Sequence, residues 1–118
     1  FFTQSFNKMA MNPHAFNEQD IAVYTEAFNQ PGAVRSAIAY YRAAFRSVFK
    51  KQSFPKIKCP VMVLWGVQDT ALGVELTYNT AAHCLLKPEI LYDESSGHFV
   101  QHDNPEWVNA HLKRFFTT

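Results

Sequence analysis

Charge of one sign is what this sequence most conspicuously lacks. Its 11 lysines and arginines face 10 acids, a formal net charge of +1, so there is no basic footprint for nucleic acid. No apolar run reaches the length of a membrane span, and no signal-peptide pattern, targeting tail, repeat or low-complexity tract is visible. Cysteine is scarce. Cys59 and Cys84 form no Cys-x-x-Cys pair, which excludes a disulfide-dense scaffold and a paired-cysteine zinc module. Two buried thiols, as in an intracellular protein, are the expected reading. His98 and His102 have His-x3-His spacing, but Gly97 and Asp103-Asn104-Pro105 interrupt the helix that such a site would need. No metal or organic cofactor is expected. What is present is an apolar fraction of 47% over 118 residues, enough for one modest packed domain.

Residues 1–16 show little period and read as loop with one short helical turn. Asn17-Glu18-Gln19-Asp20 is a helix start: Asn17 caps, Asp20 takes the third position, and Phe16 can staple onto Ile21. This helix should reach Asn29. Pro31 is expected at the first position of a second helix that runs to about Lys50. Along it Val34, Ile38, Tyr41, Phe45 and Val48 share one apolar arc, extended by Ala37 and Ala44. Arg35, Arg42, Arg46 and Lys50 form a separate solvated stripe. Tyr41 falls within the apolar arc, whereas Tyr40 is rotated ~100° from it.

Pro55 and Pro60 bracket a boundary. Val61-Met62-Val63-Leu64-Trp65 suits a strand buried on both faces, as in a parallel sheet. Val74 to His83 is expected to be a helix with Val74, Tyr78, Ala81 and Ala82 inward. Glu89-Ile90-Leu91-Tyr92 reads as a second strand. Asn104-Pro105-Glu106 opens a last helix that buries Val108, Leu112, Phe115 and Phe116. Strand, helix, strand, helix is the order of a parallel α/β sheet. Two strands do not make a stable sheet, so the sheet is expected to contain more strands than this chain carries.

Open α/β sheets gather functional groups beyond the carboxyl ends of their strands. Asp69 follows the first strand and His98 the second, on a turn that Gly97 is expected to permit by adopting conformations other residues resist. Neighbouring parallel strands would bring both loops to one edge. A carboxylate accepting the Nδ1 hydrogen of an imidazole fixes its tautomer and leaves Nε2 as a base near neutral pH. Surface and turn readings of the two residues remain open from spacing alone.

The segments WGVQDTAL, SGHFVQHDNPEWVN and NQPGAVRSAIAYYRAAFR, with the Tyr41-Arg42 pair, resemble the C-terminal part of an α/β-hydrolase, most closely an epoxide hydrolase. The resemblance covers about Phe16 to Phe116. It implies that residues 1–55 end a helical lid and residues 56–118 form the last strands and helices of an α/β core. It further implies His98 as the base that activates water, Asp69 as the acid that orients it, and Tyr41 as a lid hydrogen-bond donor. Trp65 and Phe99 would line the substrate site. Substrate would be a small lipophilic epoxide, with water as co-reactant and no nucleic acid partner. No Gly-x-[Ser/Asp]-x-Gly elbow and no His-Gly oxyanion segment occur here, so the resemblance places the nucleophile upstream of Phe1. Any membrane anchor would also lie there, and this chain alone is expected to be inactive. Rival readings are a serine esterase or haloalkane dehalogenase of the same fold, and a non-catalytic interaction protein built on it. Neither rival enzyme needs Tyr41.

Overall fold

The computed structural model describes residues 6, 8–48 and 54–117. They form two compact units. One is Asn17–Pro55; the other combines the described residues up to Phe16 with those from Lys56 onward. The sequence divides the chain once, between residues 55 and 56. The structure adds a division after Phe16, because Met9, Met11 and Asn12 hydrogen-bond into the loops at residues 97–103.

The Asn17–Pro55 unit holds two helices. α1 spans Glu18–Asn29 and starts as the sequence predicts. Asn17 accepts from the Asp20 amide at 2.9 Å, and Asp20 accepts from the Asn17 amide at 3.0 Å. Such a reciprocal cap contributes about 1 kcal/mol. α2 spans Ala33–Val48 and begins two residues later than expected. Gly32 has φ +83°, a left-handed conformation that places Pro31 in the preceding turn rather than in the helix. The expected end at Lys50 lies outside the described residues. The apolar arc on α2 stays largely exposed, with Ala37 half-buried. Tyr41 is 67% and Phe45 73% exposed, and Val34 and Ile38 are also exposed. A two-helix hairpin has too little surface to enclose such an arc. The side chain of Val48 is outside the described set. Arg35, Arg42 and Arg46 are exposed, as their stripe implies.

In the other unit, β1 (Met62–Gly66) and β2 (Glu89–Asp93) pair in parallel, with Met62 opposite Glu89 and Gly66 opposite Asp93. An isolated parallel bridge joins Ile57 to Cys84. The strands are mostly half-buried rather than enclosed on both faces. The connection between them is not the expected helix. It is two 3₁₀ turns, Val74–Thr77 and Thr80–His83. Thr77 and Thr80 bond back to the carbonyls of Val74 and Thr77, an alternative to helical pairing that β-hydroxyl side chains favour. Buried Thr77 also shares a 2.6 Å hydrogen bond with the Tyr92 hydroxyl. Tyr78, Ala81 and Ala82, expected inward, are exposed.

α3 (Val100–Asp103) is a single turn, and α4 (Pro105–Thr117) is the last helix. Asn104 caps α4 through the Trp107 amide at 3.2 Å. Val108 is buried and Phe115 half-buried, but Leu112 and Phe116, expected to be buried, are exposed. Positions 112 and 116 lie ~40° and ~80° around the helix from position 108, on the side away from Phe115. Of the two thiols expected to be buried, Cys84 is and Cys59 is not; Cys59 lies in the exposed approach to β1. Among the described residues no helix is long and apolar enough to cross a membrane.

Candidate active site

The carboxyl ends of β1 and β2 are zipped together by their loops. The Val67 amide donates to Asp93 O at 3.0 Å and the Gln68 amide to Ser96 O at 2.9 Å. The Gln68 side-chain amide reaches Glu94 O at 2.7 Å. This closeness demands glycine at position 66. A Cβ there would lie 2.2 Å from the Gly97 carbonyl oxygen and 2.6 Å from that of Ser96. Gly97 is required for space as well: a Cβ would meet the Met9 carbonyl oxygen at 2.7 Å. The expectation that Gly97 supplies an unusual backbone conformation is corrected, since Gly32 alone has positive φ among the described residues.

On this platform the ring Nδ1 of His98 lies 2.9 Å from Asp69 Oδ2. Loop geometry aims the carboxylate. Asp69 Oδ1 accepts from the amides of Ala71 and Leu72 at 2.8 and 2.9 Å, which leaves Oδ2 for the imidazole. The Asp69 side chain is 6% exposed and that of His98 29%. Burial pushes the Asp69 carboxyl up. The Leu72 amide, the hydrogen bond to His98, the Ala71 amide and the positive charge His98 can carry together outweigh burial and hold it below its ordinary value. An ionised carboxylate only accepts hydrogen bonds, so Nδ1 carries the proton and Nε2 is left as a lone-pair base.

A second carboxylate braces the same loop. Asp93 accepts from Ser96 Oγ at 2.5 Å and Asn104 Nδ2 at 3.0 Å on one oxygen, and from Ser95 Oγ at 2.9 Å on the other. Ser96 is completely buried. Burial raises the Asp93 carboxyl, but the bonds from Ser96, Ser95 and Asn104 prevail and lower it. The sign follows by linkage. With Asp69 and Asp93 both held below 3.8 in the folded form, their stabilisation is complete above the unfolded value and is lost as pH falls through the folded values. Denaturant midpoints should therefore be insensitive to these groups above about pH 5 and should fall in strongly acid solution. In Asp93→Asn that acid limb should be shallower; an unchanged limb would remove Asp93 from the linkage.

Asp69 and His98 come together as the sequence places them, at the ends of adjacent strands. Phe99 is half-buried, edge-on to the His98 ring at 5.0 Å between centroids, and contacts Phe6 and Phe16 at 5.3 and 5.2 Å. Trp65 is half-buried in β1, with its indole Nε1 buried and without a hydrogen-bond partner. Tyr41 belongs to the other unit, where its ring stands edge-on to Tyr40 at 5.7 Å. His102, four residues after His98, stacks on Phe16 at 4.2 Å. Among the described residues no group of three or more His, Cys, Asp or Glu side chains could hold a metal. Sequence reasoning missed Asp93, Ser96 and Asp103; Asp-x-x-Ser before Gly-His was the available local signal for the first two.

No family model matches the chain. It is 35% identical over 98 residues to the AB hydrolase superfamily protein YfhM of Bacillus subtilis, covering 82% of this chain and 33% of that protein. It is 31% identical over 105 residues to Epoxide hydrolase 1 of Caenorhabditis elegans, covering 88% of this chain and 26% of that protein. The chain thus spans about a third or less of the length of these curated relatives. Among solved structures it is similar to Cfl2 of Burkholderia cenocepacia, with a TM-score of 0.77 and 26% identity over 93% of this chain and 37% of that one. A mutant of an epoxide hydrolase from Bacillus megaterium has the same fold, with a TM-score of 0.73 at 23% identity over 88% of this chain and 39% of that one.

Proposed function

Since the chain belongs with the α/β-hydrolase-fold proteins, corresponds to their C-terminal part and is most like the epoxide hydrolases, we propose that the whole protein hydrolyses lipophilic epoxides to vicinal diols. The observation that carries the reading is the 2.9 Å contact between His98 Nδ1 and Asp69 Oδ2 at the carboxyl ends of adjacent parallel strands.

The chemistry divides into two steps. A carboxylate upstream of this chain attacks an epoxide carbon. The carbon–oxygen bond of the ring opens as a phenol hydrogen bonds to, and protonates, the departing oxygen. Tyr41, on the lid of residues 1–55 that the resemblance implies, is the proposed donor, because a phenol aimed at the departing oxygen stabilises a developing alkoxide. The product is an alkyl–enzyme ester. His98 Nε2 then takes a proton from water, whose oxygen adds to the ester carbonyl. The alkyl oxygen leaves, receives the proton from His98, and departs as the second hydroxyl of the diol. The proton left on the released nucleophile carboxyl returns through solvent to the phenolate, which restores both groups. Asp69 holds the imidazole in the required tautomer and stabilises the imidazolium while it lasts. Phe99 supplies an apolar wall beside the base, and Trp65, in the strand that leads to Asp69, is the second proposed wall, which suits a lipophilic substrate.

A single-turnover experiment on the whole protein tests both steps. His98→Gln should form the ester, seen as a mass increase equal to the epoxide, and should hydrolyse it about 10²–10⁴-fold more slowly. Ordinary turnover with no trapped adduct would remove His98 from the mechanism. In the same assay Tyr41→Phe should slow formation of the adduct. An unchanged burst rate would refute its role.

A further inference from the structure

The carboxyl group of Asp103 holds the backbone on which His98 stands. The residue is buried. Its Oδ2 accepts from the Gly97 amide at 2.8 Å. Its Oδ1 accepts from the amides of Met11 and Asn12 at 2.8 and 2.9 Å. Its own carbonyl accepts from Asn12 Nδ2 at 3.2 Å. The segment fixed in this way returns the favour, since the carbonyl of Met9 accepts the His98 amide at 3.1 Å. The two consecutive amides at Gly97 and His98 are therefore anchored, one directly by Asp103 and the other through the 9–12 segment that Asp103 ties down. The lack of room for a Cβ at Gly97 shows how close this approach is.

We infer that Asp103 is a positioning residue for His98: one buried carboxylate clamps residues 9–12 onto the Gly97-His98 peptide and so sets the imidazole at its working distance from Asp69. The inference rests on the reading of His98 as the base. A carboxylate is suited to the task because both of its oxygens accept. No neutral side chain of equal length offers two acceptors facing opposite ways. Asparagine keeps one acceptor and turns an NH₂ group toward either Gly97 or the 11–12 amides, so one side of the clamp must open.

In the whole protein, Asp103→Asn should slow hydrolysis of the trapped ester by about 10²-fold, the cost of a misplacement on the order of 1 Å. Formation of the ester should change less than about twofold, because the groups that make it are not on this loop. A general loss of folding would lower both steps together, and that result would overturn the positioning role. So would an unslowed hydrolysis step in Asp103→Asn while His98→Gln still traps the ester. If His98→Gln traps nothing, the proposed function fails and this inference fails with it. A second measurement needs no variant. Amide hydrogen exchange in the native protein should show Met11, Asn12 and Gly97 protected and opening together as one unit; free exchange at Gly97 would contradict the clamp.

Discussion

Asp69→Asn is expected to slow hydrolysis of the covalent intermediate by up to about 10⁴-fold, the loss that the same substitution causes in a Ser-His-Asp arrangement. The local hydrogen bonds fix which way the new amide would turn. Two backbone amides, those of Ala71 and Leu72, point at the site of Oδ1, and they need an acceptor. The amide oxygen must take that position, which presents the NH₂ group to His98. Nδ1 would then have to accept, the ring proton would move to Nε2, and the lone pair that takes a proton from water would be gone. Because the loop keeps its own bonds, the fold should survive, and ester formation should be nearly unaffected. Stopped-flow single-turnover kinetics separates the two phases. A hydrolysis rate within threefold of the unmodified protein would show that the acid does not orient the base.

Gly66→Ala should produce the largest loss of stability among conservative changes near the site. The added carbon would lie 2.2 Å from one backbone oxygen, 2.6 Å from another and 2.7 Å from the Ser96 carbonyl carbon. No flexible side chain is available to yield, so the β1 and β2 loops must part. Parting breaks the Val67 and Gln68 amide bonds to Asp93 and Ser96 and strains the Gly97-His98 peptide. Overpacking costs about 1–3 kcal/mol, and each backbone bond lost without replacement adds about 1 kcal/mol or more. A loss of about 3 kcal/mol or greater should appear as a lower denaturant midpoint at unchanged slope. A loss below about 0.5 kcal/mol, the range of an ordinary surface substitution, would mean that the two loops are not in contact as described.

Local signals were the legible part of this chain. The capping pair Asn17 and Asp20, the cap at Asn104, and the two apolar runs that become β1 and β2 each act within a few residues, so the sequence alone reveals them. The meeting of Asp69 and His98 is legible for a related reason: a parallel pairing of consecutive strands brings both following loops to one edge. What escaped depends on distant partners. Asp103 reads as a helix-flanking acid until Met11 and Asn12, some ninety residues away, are seen to donate to it. A glycine before histidine suggests conformational freedom, whereas the constraint at Gly97 is the nearness of the Met9 carbonyl. The 3₁₀ turns at Val74–Thr77 and Thr80–His83 replace a helix because Thr77 and Thr80 bond backward and Thr77 also holds Tyr92. Periodicity sees apolar faces but not hydroxyl partners. Periodicity also puts Tyr41 and Phe45 on one arc, yet whether an arc is covered depends on what lies against it, and both residues stay largely exposed.

The partnership of Asp69 with His98 is tested most directly by the imidazole itself. Nitrogen-15 correlation spectra of the whole protein near neutral pH should show His98 with its proton on Nδ1 and that proton shifted far downfield by the carboxylate. In Asp69→Asn the downfield resonance should vanish and the proton should move to Nε2. A His98 ring protonated at Nε2 in the unmodified protein, with a spectrum indifferent to the residue at position 69, would contradict the pairing and the chemistry built on it.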